Sequence, residues 1–123
     1  MYDITYNQME PDFLEIKRRI LNYIAPDGKD VFDDWLMSLR DRKGRAIIRT
    51  RLDRIKYQGN FGFHRSVGEG VFELKIDFGP GYRVYYAEEA STVVILLGGG
   101  DKDSQDRDIK KAHERWAEYR RRP

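Results

Sequence analysis

Lys75, Arg83, Lys102 and Gln105 are the side chains of this chain best suited to phosphate chemistry. They lie in the run VFELKIDFGPGYRVYYAEEASTVVILLGGGDKDSQ, from Val71 to Gln105. RNA carries its own nucleophile, the 2′-hydroxyl beside the scissile phosphate. A protein that cuts it without a metal must help remove that proton, stabilise a crowded dianionic phosphorane and protonate the leaving 5′-oxygen. Cations supply the second need directly, and a lysine held among other cations can also exchange protons. Gln105 can donate a hydrogen bond to phosphate or base. His64, after the aromatic loop GNFGF, is a candidate acid or base, and Arg65 a candidate RNA contact.

Each residue also has a plain structural role open to it. Lys75 stands between Glu73 and Asp77 and can form cross-strand pairs on a solvated face. Arg83 can pair with Glu73 or Asp77. GGGDK can be a strand-to-helix turn with Asp101 or Ser104 as cap. Tyr82, Tyr85 and Tyr86 can stack on bases or simply pack.

The elements that must position these residues follow from periodicity. Alternation predicts strands near His64–Val67, Val71–Phe78, Tyr82–Glu88 and Thr92–Leu97. In the second of these, Val71, Glu73, Lys75 and Asp77 share one face, and Phe72, Leu74, Ile76 and Phe78 the other. Gly79-Pro80-Gly81 suits a tight turn. Ile16, Ile20 and Ile24 at even spacing point to a first strand over Glu15–Ile24, although a helix also fits. Asp30 caps a short helix over Val31–Leu39 that buries Phe32, Trp35, Leu36 and Leu39. Asp41 caps a second helix reaching about Tyr57, with Ile48, Leu52 and Ile55 buried and Arg42, Arg45, Arg49 and Lys56 as a basic stripe. A last helix over Ser104–Arg120 buries Ile109, Ala112, Trp116 and Tyr119. The expected fold is α+β: an antiparallel sheet of about four to five strands, two helices before the meander and one after it. One domain spans residues 1–123, with 1–13 a loosely attached extension.

With 36% charged and 40% hydrophobic residues, the surface is heavily charged, yet the periodic segments can still build a core. The chain has no cysteine and only His64 and His113, so disulfides, thiolate sites and His-based metal centres are not expected. Nor is a cofactor. No apolar run has the length of a membrane span, and the first residues lack a signal-peptide pattern, so a cytoplasmic, membrane-free protein is expected. Residues 42–83 carry ten lysines and arginines against four carboxylates, whereas residues 1–41 carry five against nine. The middle third is therefore a candidate footprint for a polyanion, with Arg45 and Arg49 as RNA contacts; a solvated helix face is the alternative.

GNFG, ELKIDFGPGYRVYY and GGDKDSQDRDI, together with the DW-L--LRDRK-R helix pair and VGEGV, resemble the addiction-module killer (HigB-like) branch of the RelE/ParE toxins. The resemblance spans roughly Ile24 to Tyr119. It implies a compact RelE-like domain and a toxin of a type II toxin–antitoxin module. The implied activity is metal-free cleavage of mRNA on the ribosome. The implied partners are a cognate antitoxin, the ribosome and its mRNA, and operator DNA only as the toxin–antitoxin complex. By motif position the catalytic basic residues correspond to Lys75, Arg83 and Lys102. The sequence departs from the RelE pattern in two places. The tyrosine of the last helix has no counterpart, with Asp108 near that place, and Glu73 stands where a second strand lysine is expected. Two other readings therefore stay open: a ParE-like toxin that inhibits DNA gyrase without cutting nucleic acid, and an inactive module that binds antitoxin and represses its own operon.

Overall fold

The computed structural model describes residues 15–123. The segment expected to be loosely attached, residues 1–13, lies outside the described residues. The order is β1 (Arg19–Asn22), α1 (Val31–Ser38), α2 (Arg42–Gln58), β2 (His64–Ser66), β3 (Phe72–Ile76), β4 (Tyr82–Glu89), β5 (Val93–Gly100) and α3 (Gln105–Arg120). This is an α+β fold, as expected from the sequence.

Both early helices start where their caps predict. Asp30 Oδ1 accepts from the Asp33 amide at 3.0 Å, and Asp41 Oδ1 from the Gly44 amide at 2.8 Å. Each satisfies a donor that the first helical turn leaves unpaired. Asp41 also accepts from the Tyr82 hydroxyl at 2.8 Å, which ties the start of α2 to the sheet. Burial first, and that bond second, push the Tyr82 phenol up to about 12.

The sheet order is β1-β5-β4-β3-β2, and it is mixed rather than antiparallel. β1 runs parallel to β5, from Arg19 opposite Val93 to Asn22 opposite Leu96. It is also shorter than the spacing of Ile16, Ile20 and Ile24 predicts. The amides of Lys17 and Arg18 bond to the Lys56 carbonyl at the end of α2, and Ile24 bridges Asp30. Ile16 and Ile24 are consequently exposed, and only Ile20 joins a core. The parallel partner makes β5 an interior strand, and its run VVILL is apolar on both faces accordingly.

Each face of the sheet has its own core. Leu74, Ile76, Val84, Tyr86, Val94 and Leu96 pack with Phe32 and Leu36 of α1 and Ile48 and Ile55 of α2. Val71, Tyr85, Ala87, Ile95 and Leu97 pack with Ala112 and Trp116 of α3. Truncating one fully buried aliphatic such as Ile48 to alanine costs about 2–5 kcal/mol. By alternation, Glu73, Lys75 and Arg83 fall on the α3 face of the sheet.

Gly98–Gly100 belong to β5 and do not form an open loop. A methyl at Gly99 would collide with the Trp35 ring, and one at Gly100 with Asp108. The glycines let helices close on both sides of the strand. The β4–β5 register slips between Tyr85 and Tyr86, and the Leu97 carbonyl at the irregularity accepts from Arg115 Nη1 at 2.9 Å. Asp101 then holds the turn into α3 by accepting from the Asp103 and Ser104 amides at 2.9 and 3.2 Å.

Candidate active site

Lys75 and Arg83 are direct partners across the β3–β4 ladder, on the end of the sheet near the start of α3. A cavity of about 290 Å³ opens there, lined by Phe63, His64, Arg65, Glu73, Lys75, Arg83 and Gln105. A second one, of about 260 Å³, adjoins it and is lined by Lys75, Asp77, Gly79, Pro80, Gly81, Arg83 and Lys102. Lys75 and Arg83 form the wall between the two. His64, Arg65, Lys75, Arg83 and Gln105 are thus assembled from β2, β3, β4 and α3, and Lys102 reaches the group through the second cavity. Arg45 and Arg49 are not part of it. They lie on α2, where Arg45 Nη1 donates to the Leu39 carbonyl and Arg49 Nη2 contacts the Met37 sulfur at 3.5 Å.

Arg83 is held in an unusual state for a cation. It is 6% exposed, and its Nη1 donates to the Gly81 carbonyl at 2.6 Å. Its Nε is buried without a hydrogen-bond partner and lies 3.9 Å from Glu73 Oε2. Glu73 is the charge partner of that buried edge, and the guanidinium also lines both cavities, where it can meet an anion. Gly81 makes this pose possible. At φ +82°, a Cβ there would sit 2.8 Å from Arg83 Nη1 and 3.7 Å from the Lys102 Cβ.

Glu73 is not on a solvated face. It is 1% exposed, with Oε1 accepting from Arg65 Nε at 2.9 Å and Oε2 from Gln105 Nε2 at 2.8 Å. Burial alone would raise its pKa, yet the bonds from Gln105 and Arg65 and the charge of Arg65 prevail and hold it below the ordinary carboxylate value. Lys75 is partly exposed, and its ammonium rests 5.5 Å from the centre of the Phe63 ring. His64 Nδ1 lies 2.9 Å from the Gly62 carbonyl. A carbonyl only accepts, so Nδ1 carries the hydrogen and Nε2 of the neutral ring is the free basic nitrogen.

Two contributors, Arg51 and Phe63, are not singled out by the sequence. Arg51 of α2 donates Nη1 to the Lys75 carbonyl at 2.8 Å and Nη2 to the carbonyls of Phe61 and Phe63 at 2.9 and 3.2 Å. It clamps the loop before β2 to β3, and its burial lowers its pKa. An arginine three residues after Ile48, beside the apolar stripe, was the available signal. Phe63 is 66% exposed at the cavity mouth. Glu73, which the sequence offers as a possible partner of Arg83, lies 3.9 Å from its Nε and faces Tyr85 across the ladder. The three tyrosines once open to stacking, Tyr82, Tyr85 and Tyr86, are all buried and pack instead. His113 Nε2 contacts the Val67 carbonyl at 2.9 Å, a structural tie away from both cavities.

A family profile described as "Phage derived protein Gp49-like" matches residues 34–119. The chain belongs to this Gp49-like family. It is a family of toxins like RelE and the addiction-module killers. The matched span contains every residue lining the two cavities. An uncharacterized protein of Haemophilus influenzae Rd is 51% identical over 81 residues, which covers 66% of this chain and 81% of that protein. No helix among the described residues of the Gp49-like chain is long and apolar enough to cross a membrane.

Proposed function

We propose that this Gp49-like protein is a HigB-like, ribosome-dependent mRNA endoribonuclease, the toxin of a type II module, working without a metal or cofactor and neutralised in the cytoplasm by a cognate antitoxin. The observation that carries the reading is Arg83, nine-tenths buried beside Glu73 yet lining two cavities that also present Lys75 and Lys102. Three cations around one small space suit a phosphorane, whose charge is greatest in the transition state.

In this reaction His64 Nε2 takes the 2′-hydroxyl proton, and O2′ attacks the neighbouring phosphorus. Arg83 and Lys75 hold the equatorial oxygens, and Lys102 adds charge from the second cavity. The P–O5′ bond then breaks, and the leaving oxygen takes a proton from a lysine ammonium. The products are a 2′,3′-cyclic phosphate and a free 5′-hydroxyl. Neither the tyrosine of the RelE pattern nor a carboxylate base is needed, because His64 fills that role.

The basic residues of α2, Arg42, Arg45 and Arg49, lie outside the cavities and suit an acidic antitoxin, which would also carry the complex to operator DNA. The test is translation of a defined mRNA in a cell-free extract, with the ends of the message mapped. Cuts within ribosome-bound message, absent for Arg83→Ala and suppressed by the antitoxin, are expected. Unbroken message alongside blocked DNA supercoiling would favour a gyrase inhibitor instead.

A further inference from the structure

Glu73 is the one group in the cavity that phosphate chemistry does not explain. A carboxylate 3.9 Å from Arg83 Nε weakens anion binding, and burying it at 1% exposure is costly. Its effect on its neighbours gives it a purpose. An ionised carboxylate only accepts hydrogen bonds, so Gln105 must turn its amide nitrogen toward Oε2 and its carbonyl oxygen away. A flipped amide would set oxygen against oxygen. Arg65 likewise spends Nε on Oε1, and its terminal nitrogens have no hydrogen bond among the described residues.

The cavity wall therefore offers a fixed acceptor from Gln105 next to fixed donors from Arg65. A phosphate uses donors only, whereas the edge of a nucleobase carries donors and acceptors together. Phe63, 66% exposed on the same cavity, adds a flat apolar face of the kind on which unpaired bases stack. The volume, about 290 Å³, is at the small end for ligand pockets and suits one base. Arg51 holds the Phe63 carbonyl at 3.2 Å and so steadies this platform.

We propose that Glu73 is a positioning residue that makes this half of the cavity a nucleobase subsite, with Gln105 and Arg65 reading the base edge and Phe63 stacking on its face. The subsite rests on RNA being the substrate. Glu73 itself stays out of contact with the base and acts through the two side chains it orients.

The test titrates the purified full-length chain with inorganic phosphate and with each of the four nucleoside 3′-monophosphates. Binding is followed by NMR on the Gln105 amide and the Arg65 Nε–H. One nucleotide should bind about tenfold more tightly than the weakest, and should shift both side-chain signals, which phosphate alone leaves in place. Glu73→Gln frees the Gln105 amide to flip and removes a negative charge beside Arg83. The four nucleotides should then bind alike while phosphate binds more tightly, opposite changes that a merely damaged fold cannot produce. Gln105→Ala should also abolish discrimination, but without the gain in phosphate affinity. Equal binding of the four nucleotides by the wild-type chain, or joint weakening of phosphate and nucleotides in a folded Glu73→Gln, would overturn the subsite. If RNA is cleaved and phosphate binds but base identity has no effect, only the subsite falls. If neither phosphate nor any nucleotide binds and no RNA is cut, the nuclease reading falls with it.

Discussion

Lys75 and Arg83 face each other directly across the β3–β4 ladder, two cations where a stable sheet would place opposite charges or apolar side chains. Like charges opposed in this way are destabilising by roughly 0.2–1 kcal/mol. Such an arrangement sacrifices stability for a site. Lys75→Met should therefore leave the melting temperature unchanged or raised, while slowing mRNA cleavage by about 10-fold or more. Thermal unfolding and a cleavage time course on the same preparation check both halves. A clear loss of stability with normal cleavage would make Lys75 a packing residue.

Arg83→Ala should slow cleavage on the order of 100-fold, because a preorganised transition-state donor disappears. Arg83→Lys should not restore the rate, since an ammonium cannot reproduce the fork that spans two phosphate oxygens. Circular dichroism must show both variants folded. Wild-type cleavage by either one would remove Arg83 from the mechanism.

Cleavage should persist in EDTA once ribosome integrity is controlled for, leaving a 2′,3′-cyclic phosphate or its 3′-phosphate hydrolysis product. Lys102→Ala should reduce the single-turnover rate more than it weakens ribosome binding, because its charge is needed most as the phosphorane forms. End analysis of the fragments reads the first expectation. Strict magnesium dependence with 5′-phosphate products would rule out this chemistry, and a Lys102 variant defective in binding alone would rule out that residue's role.

Acid should destabilise the protein partly through Glu73. Its folded pKa lies below the ordinary value of 4.5, so its contribution to stability is complete above that value. The contribution fades as pH falls through the lower, folded pKa. Unfolding midpoints of wild type and Glu73→Gln, compared from neutral pH downward, should converge as that carboxylate is protonated. A difference that stays constant across the acid range would mean Glu73 is not ionised in the fold.

Arg51→Met should destabilise by about 2–3 kcal/mol, as three carbonyls lose a charged donor in a half-buried setting. Amide exchange should quicken around Phe63 and His64, and cleavage should fall although Arg51 lines neither cavity. Unchanged exchange in that loop would show that something else holds it.

Local rules were enough for much of this molecule. Asp30 and Asp41 announced two helix starts because a short carboxylate can satisfy the first-turn amides of its own helix. Alternation in ELKI and YRVY placed Lys75 and Arg83 on one side of their strands, and the short Gly-Pro-Gly turn brought those strands together. What tertiary structure alone decided involves partners distant in sequence. β1 pairs in parallel with β5 because the end of α2 captures Lys17 and Arg18, a contact that periodicity in Glu15–Ile24 cannot reveal. The triple glycine became a packing surface once Trp35 and Asp108 closed on it from helices on both sides. Glu73 sits at the centre of the candidate site for the same reason. Arg65, Arg83 and Gln105 come to one carboxylate from three different elements, and only the folded chain gives that charge enough partners to stay buried and ionised.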